Sequence, residues 1–509
     1  MTKISQISWN RYKESAGGKS AIAEFKTLNA ESPAETVLAI MRKYSPMYFV
    51  NLGERDMQNL QHDLSGINLD ILTDCAVEKI QNQEDFNLYY DKLLCAYAGI
   101  PFGENPHDYP QGQFKGILSV NMLLTTALYM NYPDYCIPNL LPMQFKLLEM
   151  FAAKYEIDLP TRPNPSKYME SCLYYKALNE CLMDFCRENS ITSTAEMAAY
   201  LYDYEFSLLR EELNQRRENT EMPEAAQAWF LVGDKSEFEK SMDYGFWQAS
   251  PETRRGDIMV FYEKSPVMAI NAVWRAQEDG VVDPFFRFRS NTYIGMEQKT
   301  PAISLEELKH HPYFKNHALV HKNFQGGSGW SLNAEDYRQL QQIWAKKGFD
   351  CSTLPQLKAH EAPTDIDFTE KEAAVNKYLV LPLLKEMGWT RENGQILEQV
   401  VQHVGRGESR TNGRTDVSLH PYGENKKKAR VLIEEKFWMK NEREKKDAFD
   451  QGESYADLSE SKVLVICDKA QIIVFIKKND AFHFEDGITF YWDEMSNPDK
   501  FNTLRKLLA

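Results

Sequence analysis

The stretches Gly413–Asp416 (Gly-Arg-Thr-Asp) and Arg430–Lys436 (Arg-Val-Leu-Ile-Glu-Glu-Lys) are the basis of the fold prediction for the C-terminal part of the chain. An acid follows one predicted strand, and an acid-x-lysine ends the next apolar strand. Because side chains alternate along a strand, Glu434 and Lys436 are expected on one face. We expect Asp416 and Glu434 to share a Mg²⁺ ion, which prefers carboxylate oxygens. Lys436 is then expected beside the attacking water or the scissile phosphate.

Apolar runs on both sides of these acids predict the order helix, strand, strand, helix, strand. Apolar positions 375, 379, 383 and 384 recur at helical spacing, and Gly388 is a natural helix stop. The pair Val400–Val401 begins a strand, and the apolar runs Lys462–Ile466 and Gln471–Ile476 follow a charged helical segment. The acids therefore lie within a predicted α/β core.

With these elements and motifs, the chain resembles the PD-(D/E)xK nucleases, most closely the N-terminal nuclease domain of type I restriction motor subunits. The resemblance implies Mg²⁺-dependent DNA cleavage, with Asp416 and Glu434 as ligands and Lys436 as the catalytic lysine. Glu435 is a further candidate ligand, and Mn²⁺ is a candidate substitute for Mg²⁺. The ATP-driven motor of the type I enzymes has no counterpart in this sequence, so any translocation is expected from a partner. The motifs are Glu372, Pro382–Leu384, Gly388–Trp389, Gly413–Asp416, Glu434–Lys436, Gln451 and Tyr455–Ala456.

The same resemblance gives roles to three more residues. Glu372 is expected to be an auxiliary acid, and Gln451 and Tyr455 to orient the site or contact the DNA backbone. The net charge of the chain is −15, so DNA contact is expected from local basic clusters, not from the whole surface. Their position beside the nuclease core favours phosphate contacts over a solvated charged surface. The clusters are Lys426–Lys428 with Arg430, and Lys440, Arg443, Lys445 and Lys446.

Residues 225–347 carry a second pattern. Trp229–Gly233 reads as an edge-type strand, the runs at 254–262 and 266–274 as a β-hairpin, and Asp283–Arg289 as another strand. Ser304 begins a short capped helix with a glutamate three residues later. The region resembles the EVE domains, PUA-like β-barrels related to YTH readers. The residues that carry this likeness are the opening aromatic strand, Gly256–Asp257, Phe261–Tyr262, Gly327–Ser328, Leu332 and Asp336–Tyr337.

The EVE resemblance implies a barrel that accepts one flipped, modified base in an aromatic pocket. Extruding a base costs a few kcal/mol, which stacking between aromatic side chains and hydrogen bonds to the pairing edge offset. Trp247 and Trp330 are the first choices for the walls, because each is expected in a polar, turn-like setting and not within a strand. The alternative for any single aromatic residue is core packing. The candidate base-binding residues are Trp247, Trp330, Phe246, Tyr262 and Trp229.

The remaining features of the sequence concern the N-terminal region, the cysteines and the possibility of membrane or signal segments. Residues 1–220 show helical spacing and predict a mostly α-helical domain of unknown role, with a DNA-contacting or oligomerisation module as the alternative to simple packing. The eight cysteines form no CxxC pair and no zinc spacing, which is typical of reduced core residues in a cytoplasmic protein. The sequence begins without a signal-peptide pattern, and its longest apolar stretch, Gly116–Met130, is too short and too polar to span a membrane.

The prediction is therefore a multidomain α+β protein. Its parts are a helical domain at 1–220, a central PUA-like β-barrel at 225–347, and an α/β PD-(D/E)xK nuclease core at 364–509. Its expected function is modification-dependent cleavage of double-stranded DNA in restriction or anti-phage defence, with a reader of modified cytosine attached to a Mg²⁺-dependent nuclease. A homodimer or higher oligomer is expected, because one site cuts one strand. An RNA-directed nuclease and a non-catalytic nucleic-acid reader or adaptor stay open as alternatives.

Overall fold

The computed structural model describes residues 3–49, 58–63, 80–101, 104, 108–164, 167–234, 244–286, 288–404 and 411–509. The chain forms two compact units. The first unit comprises Met1–Pro223 and Phe230–Trp330, and the second comprises Glu224–Trp229 and Ser331–Ala509. Among the described residues, no helix has both the length and the apolar character needed to cross a bilayer.

Helices with aromatic contact faces begin the first unit, as the spacing of apolar residues predicts. Their shared core contains many large rings: Trp9 packs edge-on against Tyr200 at 4.8 Å between ring centroids, and Phe151 packs against Phe185 at 5.2 Å. Ser5, Ser15, Asn82 and Ser193 cap helices by accepting a hydrogen bond from a backbone N–H of the first turn. The helices are α1 (Gln6–Glu14), α2 (Ala16–Thr27), α3 (Ala34–Tyr44), α4 (Pro46–Phe49), α5 (Gln83–Tyr97), α6 (Gln111–Asn131), α7 (Phe145–Tyr155), α8 (Tyr168–Glu188), α9 (Thr194–Ala198), a π-helical turn (Ala199–Glu205) and α10 (Phe206–Asn219).

A curled antiparallel sheet follows the helices. The order is β2-β6-β4-β3-β1-β7, with β5 also on β6. The ladder between β4 and β6 shifts register at two places, between Ile270 and Ala272 and between Val273 and Arg275. Such shifts bend a strand and increase its twist, so the sheet curls as a half-barrel. The strands are β1 (Ala228–Gly233), β2 (Tyr244–Gln248), β3 (Ile258–Glu263), β4 (Ala269–Ala276), β5 (Val281–Val282), β6 (Ser290–Ser304) and β7 (Trp330–Leu332).

Further helices follow β6 and β7 along the chain. Ser304 accepts a hydrogen bond from the N–H of Glu307 and caps the predicted helix. Asn333 and Asp336 cap the following long helix reciprocally. The elements are α11 (Leu305–His310), a 3-10 turn (Phe314–Asn316), α12 (Ala318–His321), α13 (Ala334–Lys346) and a 3-10 turn (Cys351–Thr353).

The predicted strand at Asp283–Arg289 is wrong, and the adjacent fifteen-residue strand β6 was not predicted. The described residues of the segment 283–289 form turns, because the Asp283 carboxylate accepts a hydrogen bond from the N–H of Phe285 at 2.9 Å and folds the chain back. Arg289 has a φ of 75°, which an extended strand does not allow. The long strand begins at Ser290 and is largely polar in its second half, so apolar alternation did not reveal it.

The second unit is built on a six-stranded mixed sheet with the order β15-β14-β13-β12-β11-β8, beside a separate β9–β10 ribbon. Strands β12 and β13 are parallel, and α16 connects them. The elements are α14 (Glu372–Val375), a π-helical turn (Asn376–Val380), α15 (Leu381–Glu386), β8 (Ile396–Glu398), β9 (Val401–Val404), β10 (Thr411–Arg414), β11 (Val417–Tyr422), a 3-10 turn (Glu424–Lys426), β12 (Lys428–Glu435), α16 (Glu442–Leu458), β13 (Val463–Cys467), β14 (Gln471–Ile476), a 3-10 turn (Phe484–Asp486), β15 (Ile488–Tyr491), a 3-10 turn (Trp492–Ser496) and α17 (Pro498–Leu508).

The two faces of this sheet bury different side chains. Val431 and Ile433 of β12 belong to the core that includes residues of α15 and α17. Leu432 belongs to a second core with Ala448 and Phe449 of α16. The alternation of the strand therefore directs Glu434 toward α16 and Glu435 toward the opposite face. The expected fold class is confirmed: a helical N-terminal region, a central curled sheet and a C-terminal mixed α/β sheet.

Candidate active site

The strand register brings Asp416 next to Glu434. Val417 at the start of β11 pairs with Ile433 of β12 in an antiparallel ladder, so the residue before β11 lies beside the end of β12. The N–H of Glu435 donates a hydrogen bond to Oδ2 of Asp416 at 2.8 Å. Asp416 therefore lies at the end of β12, close enough to Glu434 for their charges to interact.

Lys436 and Glu434 form the closest charged contact of the site. The Lys436 Nζ lies 2.6 Å from Glu434 Oε1. The Glu434 side chain is 2% exposed, whereas that of Lys436 is 25% exposed. The carboxylate is therefore enclosed, while the ammonium reaches the surface beside it. The predicted sharing of one face by Glu434 and Lys436 is seen in this contact.

Burial and mutual repulsion shift the titration of these groups. Burial raises the pKa of Glu434 to about 7, and the nearby Asp416 adds to the shift. Burial also raises the pKa of Asp416, opposed by the hydrogen bond from the Glu435 N–H and by Lys436. For Lys436 burial lowers the pKa, but the hydrogen bond to Glu434 and the surrounding acids outweigh it, so the net shift is upward. The site thus concentrates negative charge that a cation would stabilise.

One oxygen of this site has no protein partner. Glu434 Oε2 is buried and accepts no hydrogen bond, although an unsatisfied buried acceptor costs about 1–3 kcal/mol. No group of three or more His, Cys, Asp or Glu among the described residues is arranged to hold a metal ion. Mg²⁺ nevertheless needs only one or two protein carboxylates, because it keeps several of its waters. Asp416 and Glu434 are therefore the residues that could hold such an ion.

Glu435 lies apart from this pair of acids. Its Oε1 accepts a hydrogen bond from Asn376 Nδ2 at 2.8 Å, on the face of the sheet opposite to Glu434. Burial raises the pKa of Glu435 to about 8. Its carboxylate is therefore engaged with the helical segment 372–386, and only its backbone N–H contacts Asp416. The structure does not bring the Glu435 side chain to Asp416 and Glu434 as a third ligand.

A surface cleft of about 440 Å³ opens beside Lys436. Glu372, the first residue of α14, and Gln451, in the middle of α16, both line it and are exposed. The structure therefore places two of the three predicted accessory residues next to the lysine. Tyr455 is one helical turn beyond Gln451 and is half-buried against the core beneath α16, so it does not line the cleft.

Several lysines of the predicted basic clusters are paired with acids. Lys445 Nζ lies 2.9 Å from Glu442, and Lys446 Nζ lies 2.7 Å from Asp450, both within α16. Lys428 is paired with Glu460 at 2.6 Å. Exposed pairs of this kind contribute little to stability and exchange readily with other anions. Phosphate contact by these clusters stays a prediction.

Trp247 is not in the polar, turn-like setting expected from the sequence, so that prediction is wrong. Trp247 lies within β2, opposite Thr292 of β6, and is 7% exposed. Its ring packs edge-on against Phe261 at 5.4 Å, and Gly233 provides the space for it, since a Cβ there would lie 1.9 Å from the indole. Aromatic residues have a high strand propensity, and this tertiary packing overrides the local polar sequence.

The other aromatic candidates have different neighbours. Phe246 precedes Trp247 and faces the other side of β2, where it packs against Tyr293 and Phe286. Tyr262 is buried and stacks on Phe324 at 4.0 Å. Trp229 is buried in β1. Trp330 follows a turn but is the first residue of β7, so its expected position outside a strand is wrong. It is 38% exposed, with Lys322 Nζ at 5.6 Å from its ring. Phe246 and Trp247 therefore face opposite sides of β2, and a base pocket formed by these aromatic residues stays a prediction.

Two residues near Lys436 were missed by the sequence reasoning. Asn376 fixes the Glu435 carboxylate, and its distance from the acidic motif in the sequence gives no local signal. Trp438 lines the cleft and is 47% exposed. A large exposed aromatic residue two positions after the lysine was a usable signal, because alternation in an extended chain would place both on one side.

No protein-family model and no curated protein matches the sequence. Among solved structures, the chain is similar to the NMR structure of Rpa0253 from Rhodopseudomonas palustris. The sequence identity is 15%, the TM-score is 0.21, and the match covers 24% of this chain and 94% of that chain. A structural likeness at this level supports no conclusion about function.

Proposed function

We propose that the chain is a metal-dependent DNA endonuclease of the PD-(D/E)xK type, directed by a reader of modified cytosine. The nuclease part of the proposal rests on groups that meet where β12 ends. Lys436 contacts Glu434, Asp416 lies beside them, and Glu372 and Gln451 stand at the edge of the same cleft. The reader part rests on the sequence resemblance of residues 225–347 to EVE domains.

The observation that carries the proposal is the buried Glu434 carboxylate, which has one oxygen on Lys436 and the other without a partner. A purely structural ion pair gains nothing from leaving an acceptor unsatisfied in the protein interior. A cation held by Glu434 and Asp416 would satisfy that oxygen and relieve the repulsion between the two acids. Mg²⁺ at this place would supply positive charge to the scissile phosphate and a more acidic water.

The chain's own residues contribute positioning and charge. The Lys436 ammonium is held by Glu434, reaches the cleft, and has a raised pKa, so it stays protonated near neutral pH. A protonated lysine acts as a hydrogen-bond donor to a phosphate oxygen or an attacking water and not as a proton acceptor. Gln451 and Glu372 line the same cleft. The Gln451 amide can donate a hydrogen bond to a water or a phosphate oxygen, and the Glu372 carboxylate can accept one from a water.

The first test is cleavage of matched DNA duplexes in the presence of Mg²⁺. The duplexes carry unmodified cytosine, 5-methylcytosine or 5-hydroxymethylcytosine. We expect the wild type to cleave a modified duplex. We expect Glu434→Gln to lower the cleavage rate about a hundredfold, because the substitution removes the carboxylate charge. The matched control is Glu460→Gln, since Glu460 also pairs with a lysine at 2.6 Å but is exposed. That variant is expected to cleave like the wild type.

The outcomes separate the parts of the proposal. Equal cleavage of all three duplexes would leave the nuclease and remove the reader. Cleavage of structured RNA alone would establish the RNA-directed alternative, and binding without cleavage would favour a non-catalytic reader. Calorimetric titration with Mg²⁺ or Mn²⁺ tests the metal directly. Metal binding is expected to disappear in Asp416→Ala, and unchanged binding would show that the site is misassigned.

A further inference from the structure

Residues 436–441, called here the β12–α16 loop, display Trp438 beside the cleft. Trp438 is 47% exposed, whereas the neighbouring Met439 is 3% exposed and anchors the loop to the core beneath α16. Backbone hydrogen bonds hold the loop at four positions, two before and two after Trp438. The hydrogen bonds run from Lys436 N–H to the Cys467 carbonyl (2.9 Å), from Lys469 N–H to the Phe437 carbonyl (3.3 Å), from Met439 N–H to Asp468 Oδ2 (2.7 Å) and from Lys440 N–H to Glu444 Oε2 (2.7 Å).

Two lysines accompany the indole. Lys469 Nζ lies 4.1 Å from the centre of the Trp438 ring, and Lys440 Nζ lies 5.0 Å from it. Cations at these distances are attracted by the ring face. Both ammonium groups are at the ends of flexible side chains, so an incoming ring can displace one of them and leave it free for an anion. Nearby acids already have partners: Glu444 accepts hydrogen bonds from the N–H of Lys440 and from the Asn441 amide, and Glu442 is paired with Lys445.

We propose that Trp438 is a stacking platform for an unpaired base of the DNA strand that is cut, with Lys440 and Lys469 contacting the adjacent phosphates. The proposal rests on the proposed function and deepens it, because it names a locally unpaired strand as the substrate form. Trp438 lines the same cleft as Lys436, so a base on its ring places a neighbouring phosphate next to the catalytic groups. An aromatic face accepts any base, and the flanking cations favour a polyanion over an uncharged protein surface.

The test is equilibrium binding of a single-stranded oligodeoxynucleotide that contains 2-aminopurine at its centre. The protein is the full chain, and Ca²⁺ replaces Mg²⁺ to prevent cleavage. Stacking of the probe base on an indole quenches its fluorescence. We expect Trp438→Ala to remove the quenching and to weaken binding about tenfold, while Trp438→Phe retains most of the affinity. Lys469→Ala is expected to lower the salt dependence of binding by about one phosphate contact.

Tyr422→Ala is the matched control, since Tyr422 is also an exposed aromatic residue, at 42%, near the other end of β12. It is expected to bind like the wild type. Equal binding and quenching by wild type and Trp438→Ala would overturn the inference, as would the absence of binding by the wild type. These results are independent of the cleavage assay, because the probe reports binding alone. Loss of cleavage in Glu434→Gln with unchanged binding by Trp438→Ala would retain the nuclease and reject the platform.

Discussion

Glu434 and Glu435 are neighbours in the chain but belong to different environments. Glu434 contacts Lys436 and has a buried oxygen without a partner, whereas Glu435 accepts a hydrogen bond from Asn376 on the opposite face. The alternation of strand side chains makes this separation predictable from sequence. The partner Asn376 was not predictable, because nothing in the motif specifies which helix covers that face. The sequence therefore predicts on which face of β12 each glutamate lies, whereas the contact between Glu435 and Asn376 depends on the packing of the helical segment on the sheet.

A buried carboxylate in the first unit provides a pH-dependence prediction. Asp283 accepts hydrogen bonds from the N–H groups of Met143 (2.7 Å) and Phe285 (2.9 Å). Burial raises its pKa from 3.8 to about 7, although these hydrogen bonds oppose the shift. The folded state then holds a proton that the unfolded state has already released between these two pH values. The contribution of Asp283 to stability is therefore greatest in acid and falls as the pH rises to about 7.

We expect Asp283→Asn to lack this dependence. The measurement is the difference in thermal midpoint between wild type and variant, determined by circular dichroism at about pH 5 and at about pH 8. The wild type should exceed the variant by more at the lower pH, because its carboxyl group is protonated there in the folded state. The amide of the variant loses one acceptor and lowers both midpoints, so only the change of the difference with pH is informative. A difference that is constant with pH would contradict the raised pKa.

At the scale of elements, the packing of α16 on the sheet depends on one glycine. A Cβ added to Gly452 would lie 2.8 Å from Leu464 Cδ1 and 3.3 Å from Glu434 Cβ. The helix can therefore approach the strand that carries the candidate ligand only because this residue has no side chain. The motif recognised in the sequence includes Gln451 and Tyr455–Ala456 but not Gly452, whose spatial role follows from the pairing of β12 with β13.

Gly452→Ala is expected to destabilise the second unit and to lower the cleavage rate, because Leu464 and Glu434 must shift. The matched substitution is Gly116→Ala in α6, where the added Cβ meets no atom within 4 Å. It should stabilise its helix by about 0.5–1 kcal/mol, since alanine loses less backbone entropy than glycine on folding. Chemical denaturation of both variants measures whether each substitution raises or lowers the free energy of unfolding. A stabilising Gly452→Ala would show that the close approach is not limiting.

At the scale of the whole molecule, each compact unit has a core of its own. Phe151 belongs to the core of the first unit, which the N-terminal helices share with part of the curled sheet, and Leu504 belongs to a core of the second unit. The three-part division expected from the sequence stays a prediction. The helical region and most of the curled sheet lie in one compact unit, and ties such as Met143 to Asp283 join them.

We expect scanning calorimetry to resolve two unfolding transitions that respond to different substitutions. Phe151→Ala and Leu504→Ala each remove a fully buried side chain and should cost about 3–5 and about 2–5 kcal/mol, respectively. Each should lower the transition of its own unit and leave the other unchanged. One transition that both variants lower equally would show that the chain unfolds as a single cooperative unit.

The local sequence was sufficient for the helices and for the shared face of Glu434 and Lys436, because these depend on backbone periodicity over a few residues. It predicted two strands between the helices that flank the acids, where the structure has the five strands β8–β12. Tertiary structure alone placed Asn376 on Glu435, Lys469 on Trp438, and Trp247 in a buried strand. These contacts join residues far apart in the chain, and the strand register that brings them together is fixed by the packing of whole elements.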